Sequence, residues 1–325
     1  MPRLPSLVAL VAFAGCAPTA PQTATAPPVG GPSVRTYASQ VTDVDAVNTH
    51  WVETPSGVVV VDAQRLLPEA RRALAHLRAS TRSAAFPDGK PVLAVVVTHA
   101  HTDHYGGLSV LRDAYPDAAV YADPVTAETM RTDADGFNAA RRERHGERFP
   151  TQAVISANLP THTARDGGEV TVDGLRLRFH IVGESEAESH TLVELPDHGV
   201  LFTGDLVNVG VPAVPFASVD GWLAQLDAFE RRFPDVRALY QGHGPAPADP
   251  AAAVPEQRAF LAALRDAVAG ALADDGRVTE AETEAIVFAL EARWPFYTGV
   301  AGNTRREMLA FDVERVAGQL AADAP

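Results

Sequence analysis

The segment from Pro91 to Gly107, PVLAVVVTHAHTDHYGG, constrains this chain more than any other. Its first half is a continuous apolar run. As a strand, that run needs cover on both faces, the condition of an interior strand in a layered α/β sheet. Its second half sets three imidazoles and a carboxylate within six residues, His99 to His104. A lone histidine is by default a structural or solvated residue, but four metal-binding side chains at one strand end point to a metal site. His99 and His101 are two apart in a segment leaving a strand, so their rings project to one side and reach one ion. Asp103 and His104 follow after the chain turns and face a second ion. Two ions about 3.5 to 4 Å apart hold a hydroxide between them and bring the pKa of water toward neutrality, giving a nucleophile without serine or cysteine. Imidazole and carboxylate donors suit Zn²⁺, with Fe and Mn as alternatives, so the expected cofactor is two divalent metal ions. Asp103 is also the candidate catalytic residue, with Asp103 or a second-site water assisting proton transfer to the leaving group.

Composition narrows the function classes. The chain has 325 residues, 46% hydrophobic and 21% charged, ordinary for a soluble globule with a sizeable core. A net charge of −14 argues against nucleic acid as a partner and leaves a small-molecule substrate. No G-x-x-x-x-G-K string or dinucleotide fingerprint follows a strand, which argues against phosphate-cradling cofactors. Ser185 and Ser189 lack a nucleophile-elbow setting, so a serine mechanism has little support. At the N-terminus, Arg3 precedes an apolar run from Leu7 to Ala14 that is far shorter than the roughly 20 residues a bilayer crossing needs. Residues 1–16 therefore read as a signal peptide. Their Phe-Ala-Gly-Cys ending resembles a bacterial lipobox, with Phe13 where Leu is usual and Cys16 as the lipidated residue. The expected location is a bacterial membrane facing the periplasm, held by the lipid anchor alone; plain secretion is the alternative. Cys16 is the only cysteine, so no intrachain disulfide forms. Residues 17–33, rich in Pro, Ala and Thr, read as a tether.

From Val34 the pattern predicts a β-meander to about Ala63, turning at Pro55-Ser56-Gly57, then a helix over 68–79 and the strand at 91–97. A helix over 107–115, a strand at 118–123, a helix over 124–132 and more helix near Arg141 follow, while 146–166 lack periodicity. Strands return at 169–182, 191–196 and 199–205 with turns at Asp173-Gly174 and Asp197-His198-Gly199. A helix over 220–232 and a strand at 237–242 precede helices at 256–272, 279–293 and 304–321. Two strand groups, each followed by helices, suggest two sheets face to face with helices outside.

The string Thr98-His99-x-His101-x-Asp103-His104-x-Gly106-Gly107 resembles the signature of the metallo-β-lactamase superfamily. The likeness extends to AVNTHWVETPSGVVVVDA before it, LPDHGVLFTGD at 195–205 and QGHGP at 241–245. It implies a four-layer αββα sandwich over 34–247, with 248–325 as a helical C-terminal extension packed on it. It also implies metals at one edge of the sheets. His99 and His101 would share site one with a further ligand, Asp103, His104 and His243 would form site two, and Asp205 would bridge them. Asn48 and Asp62 lie in the family's meander, where Asp62 supports the metal loops. The other histidines (His50, His76, His145, His162, His180, His198) read as structural or solvated.

The further site-one ligand departs from the common pattern. Most relatives place a histidine nineteen residues before the bridging acid; that count from Asp205 reaches Glu186. Either Glu186 supplies a carboxylate, as in the alkylsulfatase branch that it resembles, or His190 serves after a loop shift; Glu188 is a third candidate. The first reading of function is an exported metal-dependent hydrolase of an ester, lactone, thioester or amide-like bond. Hydrolysis of alkyl or aryl sulfate esters is the alternative, opposed by an Asp at the bridging place where that branch has Glu. A mononuclear iron sulfur dioxygenase and a non-catalytic binding lipoprotein complete the alternatives. Residues 134–166 and 209–218, with Pro212, Pro215 and Phe216, are placed to line a pocket. Trp294, Phe296 and Tyr297 either reach it or seat the C-terminal helices.

Overall fold

The computed structural model describes residues 32–39, 47–212, 214–297 and 304–322. The leader, Cys16 and nearly all of the tether lie outside the described residues. The first sheet grows from the N-terminal apolar runs. β1 (Val34–Ala38), β2 (Asn48–Glu53) and β3 (Val58–Val61) form the antiparallel meander. β4 (Val92–Val96), β5 (Ala119–Ala122) and β6 (His162–Thr163) extend it in parallel, in the order β1-β2-β3-β4-β5-β6. Parallel neighbours need crossovers. These are α1 (Leu67–Ser80), then α2 (Thr102–Tyr105) with α3 (Leu108–Ala114), then α4 (Pro124–Thr132), α5 (Phe137–His145) and α6 (Gln152–Ala157). The second sheet has β7 (Glu169–Val172), β8 (Leu175–Gly183), β9 (Ser189–Leu195) and β10 (Val200–Gly204) antiparallel. After α7 (Val219–Arg232), β11 (Ala238–Gln241) joins β10 in parallel. Three helices end the chain, α8 (Pro250–Asp275), α9 (Glu280–Arg293) and α10 (Arg305–Ala322).

Period-two alternation builds the layers. Val58 and Val60 of β3 face α1 and α3, while Val59 and Val61 face the second sheet. On that sheet Val193, Phe202 and Tyr240 meet them, while Leu192, Leu201 and Leu239 face α7 and α8. The interior strands are thus buried on both sides, which is why β3 and β4 read as continuous apolar runs, whereas β8 near the edge of the second sheet alternates Leu and Arg with the arginines partly exposed. The result is the αββα sandwich, with the C-terminal helices sharing one apolar cluster with the outer face of the second sheet.

Three local expectations change. Asp103 and His104 lie on α2, a helical turn of four residues that precedes the glycine pair, not on a loop. α6, six residues capped by the Thr151 side chain, falls in the stretch that lacked periodicity because one turn and a half is too short to show any. α8 begins at Pro250, capped by Asp249, and Pro255 sits inside the helix.

Asp312 on α10 is fully buried, and neither carboxylate oxygen has a hydrogen-bond partner among the described residues. Burial pushes its pKa well above the ordinary carboxylate range. A folded-state pKa above the unfolded one gives stability that is fullest in acid and is lost as pH rises through and beyond the unfolded value of about 4. An unpaired buried polar group costs about 1–3 kcal/mol. Asp312→Ala is therefore expected to raise the unfolding midpoint by about 2–4 °C at neutral pH and to flatten its pH dependence. Thermal unfolding across a pH series checks this, and an unchanged midpoint counts against it.

Candidate metal centre

The site forms where the C-terminal ends of β4, β10 and β11 meet. Val61 leads into Asp62 and Gln64, both at positive φ (62° and 67°), and this tight turn aims Asp62 at the end of β4. Its carboxylate accepts from the Thr98 amide at 2.9 Å and the Thr98 hydroxyl at 2.9–3.0 Å, and its Oδ2 lies 2.8 Å from His104 Nδ1. Asp62 thereby holds both the strand end that carries His99 and the ring of His104, leaving His104 Nε2 turned inward, as the role read for it requires. Two non-glycine residues in left-handed backbone are strain of the kind held at functional sites.

Thr191 N donates to Thr98 O at 2.6 Å, stitching β9 to the end of β4. Gly204 precedes Asp205 with φ +50°, and a Cβ there would come within 2.9 Å of the Thr98 side chain. Gly242 is as restricted, since a Cβ would meet Asp205 Oδ1 at 2.0 Å. The Gly-Asp and Gly-His pairs are thus glycine-dependent because the two sheets close on each other here. Asn48 fixes the loop after β11 by donating to Gln241 O and Gly244 O, both at 2.9 Å, and Asn208 Oδ1 accepts from the His243 amide at 3.1 Å.

Seven side chains converge. His99, His101 and Glu186 form one triad, Asp103, His104 and His243 a second, and Asp205 a third with His99 and His104 that joins the two; within each, the ligating atoms lie within 4.8 Å of one another. Glu186 Oε1 is 2.7 Å from His101 Nδ1, and its Oε2 is 3.4 Å from His99 Nε2. His243 Nε2 is 3.2 Å from both Asp103 Oδ2 and Asp205 Oδ2. His190 stands behind the first triad, its Nε2 3.2 Å from Glu186 Oε2 and its ring 4.5 Å from that of His99. Glu188 is exposed and outside the cluster. Ser185 Oγ lies 3.3 Å from His190 Nδ1 but is fully buried, with no path to a substrate.

The donor set fits divalent metals. His104 Nε2, Asp205 Oδ1 and Glu186 Oε2 are buried and make no well-aligned hydrogen bond among the described residues, the 3.2 Å approach of His190 Nε2 to Glu186 Oε2 included. Such orphans are costly unless something else satisfies them, and all three face the converging triads. Without a metal, protons balance the charge. Burial works against a charged ring at His243, but the Asp205 and Asp103 carboxylates hold it up at about 10. Burial is likewise outweighed at His104, held well above its ordinary value by Asp205, Asp62 and Asp103. Burial alone would raise Asp103, yet Arg65, His104 and His243 depress it well below the carboxylate range. Burial and the neighbouring rings push His99 down, so it stays neutral. Stability that the apo protein draws from His243 is present in full below the unfolded histidine value and is lost as pH rises through about 10. A ligating imidazole must be neutral, so metal uptake at neutral pH displaces these protons and affinity rises with pH. Burial at His101 is likewise outweighed by Glu186, so calorimetric Zn²⁺ titration in buffers of differing ionisation enthalpy is expected to report release of about two to three protons per chain; no release would contradict this charge state.

A cleft of about 400 Å³ opens above the cluster. Arg65 and Arg141 contribute to its lining, and Phe137, Val211, Phe216 and Phe311 give it an apolar wall. The segments 134–166 and 209–218 contribute through Phe137 and Arg141 and through Val211, Pro212, Val214 and Phe216, whereas Pro215 is buried and does not line the cleft. Trp294 and Tyr297 do not: they pack on Phe260, 5.2 and 5.3 Å between ring centres, and seat the helices, with Phe296 beside Tyr297. The C-terminal wall comes instead from Glu307, Met308 and Phe311 of α10. Arg65 was also missed: its guanidinium is 3.0 Å from Asp103 Oδ1, both side chains buried. No linear motif marks it, because its relation to Asp103 exists only after β3 and α2 come together. Of the histidines set aside, His50 is buried behind the site, its Nε2 3.0 Å from Gln241 O, and burial lowers it to about 4.

The linear primary-alkylsulfatase of Pseudomonas sp. (strain ATCC 19151) is 25% identical over 223 residues, 59% of this chain and 40% of that protein. The (R)-specific secondary-alkylsulfatase of Pseudomonas sp. is 28% identical over 236 residues, 63% of this chain and 35% of that protein. The chain thus spans less than half the length of either relative. Among solved structures, a stereoselective inverting sec-alkylsulfatase from Pseudomonas sp. superposes with a TM-score of 0.61 at 20% identity, over 89% of this chain and 50% of that one. A metallo-beta-lactamase family protein of Thermus thermophilus gives 0.58 at 22% identity, over 89% and 94%. The sequence model of the metallo-beta-lactamase superfamily matches residues 42–266. Most of the chain lies within that match, and the chain belongs to the metallo-β-lactamase superfamily.

Proposed function

We propose that this protein is a metal-dependent hydrolase of small amphiphilic esters, with His99, His101 and Glu186 holding one ion, Asp103, His104 and His243 a second, and Asp205 shared. The observation that carries the reading is the pair of buried triads joined through Asp205 at the floor of an open cleft. When bound, two divalent ions supply Lewis acidity and an activated water at neutral pH. The chain's own residues do the rest. Asp62 fixes the His104 ring through Nδ1. Arg65 engages Asp103 Oδ1 and keeps this carboxylate ionised, which leaves Oδ2 toward the cluster to take the proton that the attacking water gives up and hand it on to the leaving group. The apolar wall takes an alkyl or acyl tail and keeps water from it.

Sulfate ester hydrolysis is the second reading, favoured by the carboxylate of Glu186 in the first triad, by Arg65 and Arg141 beside the cleft, and by the two alkylsulfatase relatives. A panel of carboxylic esters, lactones, β-lactams and sulfate esters of matched chain length, run before and after chelation, separates the readings. Activity is expected to vanish with chelator and to return with Zn²⁺. A single bound iron with oxygen consumption would replace both readings by the dioxygenase, and a metal-free protein inert on every substrate would leave the binding role. Phe311, partly exposed in the wall, should contribute on the order of 1 kcal/mol to binding a long tail. Phe311→Ser is accordingly expected to raise KM for decanoyl esters severalfold to about tenfold and to leave acetyl esters unchanged.

A further inference from the structure

Glu186 is carried on the turn between β8 and β9, and that turn is not held by its own hairpin alone. The Phe216 amide donates to Glu186 O at 3.0 Å, and the Ser218 amide donates to Ser185 O at 3.1 Å. The residues after Asp205 are thus a splint along the backbone of the ligand. Among the described residues, this splint has no strand or helix of its own before Val219. A segment without a ladder leaves its carbonyls to be satisfied elsewhere, and here the partner is α10. Arg315 Nη2 donates to Phe216 O at 2.6 Å, with its guanidinium carbon 5.4 Å from the centre of the Phe216 ring. Gln319 uses both ends of its amide, Nε2 donating to Pro215 O at 2.6 Å and Oε1 accepting from the Val219 amide at 2.9 Å. Phe311, Arg315 and Gln319 are spaced by four, so they share one face of the helix, and Phe311 meets Phe216 at 5.8 Å between ring centres.

We propose that Arg315 and Gln319 are positioning residues for the site-one carboxylate, acting through residues 215–219 to hold Glu186 opposite His99 and His101. The proposal rests on the metal-centre reading above. It makes α10, which lies more than 200 residues from His99 in sequence and outside the 42–266 match, part of the apparatus of site one. Site two is held by a different set of contacts, with Arg65, Asp62 and Asn208 on Asp103, His104 and His243. Loss of the clamp should therefore loosen one metal and spare the other.

The test is stepwise Zn²⁺ titration of the apo full-length protein by calorimetry, with metal content after dialysis as a second readout. Arg315→Met keeps the aliphatic stem and removes the donor; Gln319→Leu removes both amide contacts. Each is expected to weaken one of the two binding steps by about 10- to 100-fold, the range for partners that orient ligands, while the other step changes less than about twofold. Arg315→Lys, which keeps a donor for Phe216 O, should fall between. Arg306→Met is the control for helix docking, because Arg306 pairs with Glu284 and Glu291 of α9, away from the splint. Two unchanged steps in Arg315→Met and Gln319→Leu, or an equal loss in Arg306→Met, would overturn the clamp. A wild-type protein that takes up no second metal would instead overturn the metal-centre reading, so the two failures are distinguishable.

Discussion

Asp205→Asn is expected to lower kcat/KM by about a thousandfold or more, about 4 kcal/mol of transition-state stabilisation, with the fold retained. Asp205 is the one group that faces both triads: it clusters with His99 and His104, and its Oδ2 is 3.2 Å from His243 Nε2. Amide for carboxylate keeps the shape but removes the charge that two ions would share, so the nucleophile and the polarised substrate lose their common anchor. The backbone has no stake in that charge. Gly242 N donates to Gly204 O at 2.8 Å, and the parallel β10-β11 pairing holds the turn whatever the side chain. Circular dichroism and metal content must accompany the kinetics. A well-folded Asp205→Asn protein that holds two metals and turns over within tenfold of wild type would sink the shared-ligand assignment.

Glu186→Ala is expected to remove one metal equivalent and to cost about 10²–10³ in kcat/KM, whereas His190→Ala should keep both metals with a loss below about tenfold. The asymmetry follows from position. Glu186 reaches His101 at 2.7 Å in the same triad, while His190 touches the triad through Glu186 Oε2. His190 is a support that limits how the carboxylate turns. The reverse outcome, metal loss in His190→Ala alone, would move the ligand role to the histidine. Glu186→His is the informative variant. It exchanges a carboxylate for the imidazole that most relatives hold, removing one negative charge, so the remaining Lewis acidity rises and the acidic limb of the pH–rate profile should move to lower pH.

Much of the site was legible because its chemistry is local. His99, His101, Asp103 and His104 lie within six residues after a strand whose apolarity alone demanded burial, whereas Asp205 and His243 were legible only through the family resemblance. The layers were legible for a related reason: an unbroken apolar run such as Val58 to Val61 needs cover on both faces, and in the fold it divides alternately between two cores. The choice among Glu186, His190 and Glu188 was different. All three lie within five residues, and counting from Asp205 measures chain length, not direction. Only the backbone of the β8-β9 turn, pinned by Phe216 and Ser218, shows Glu186 turned inward, His190 behind it and Glu188 exposed.

Trp294 and Tyr297 show the same limit from the other side. Large aromatics at a helix end suit a pocket wall and a helix contact equally, and they proved to be the latter, while Met308 and Phe311 take the wall. By itself the sequence determined the strand that ends in the cluster, the residue types able to ligate and the apolar runs that need cover on both faces, because each depends on neighbours within a few positions. Tertiary structure decided which carboxylate faces the triad, which arginine engages Asp103 and which helix closes the cleft. Those depend on side chains roughly 40 to 130 residues apart being brought to one point, as Arg65 is to Asp103 and Arg315 to the loop beside Glu186, and no pattern along the chain encodes the direction in which a folded backbone turns.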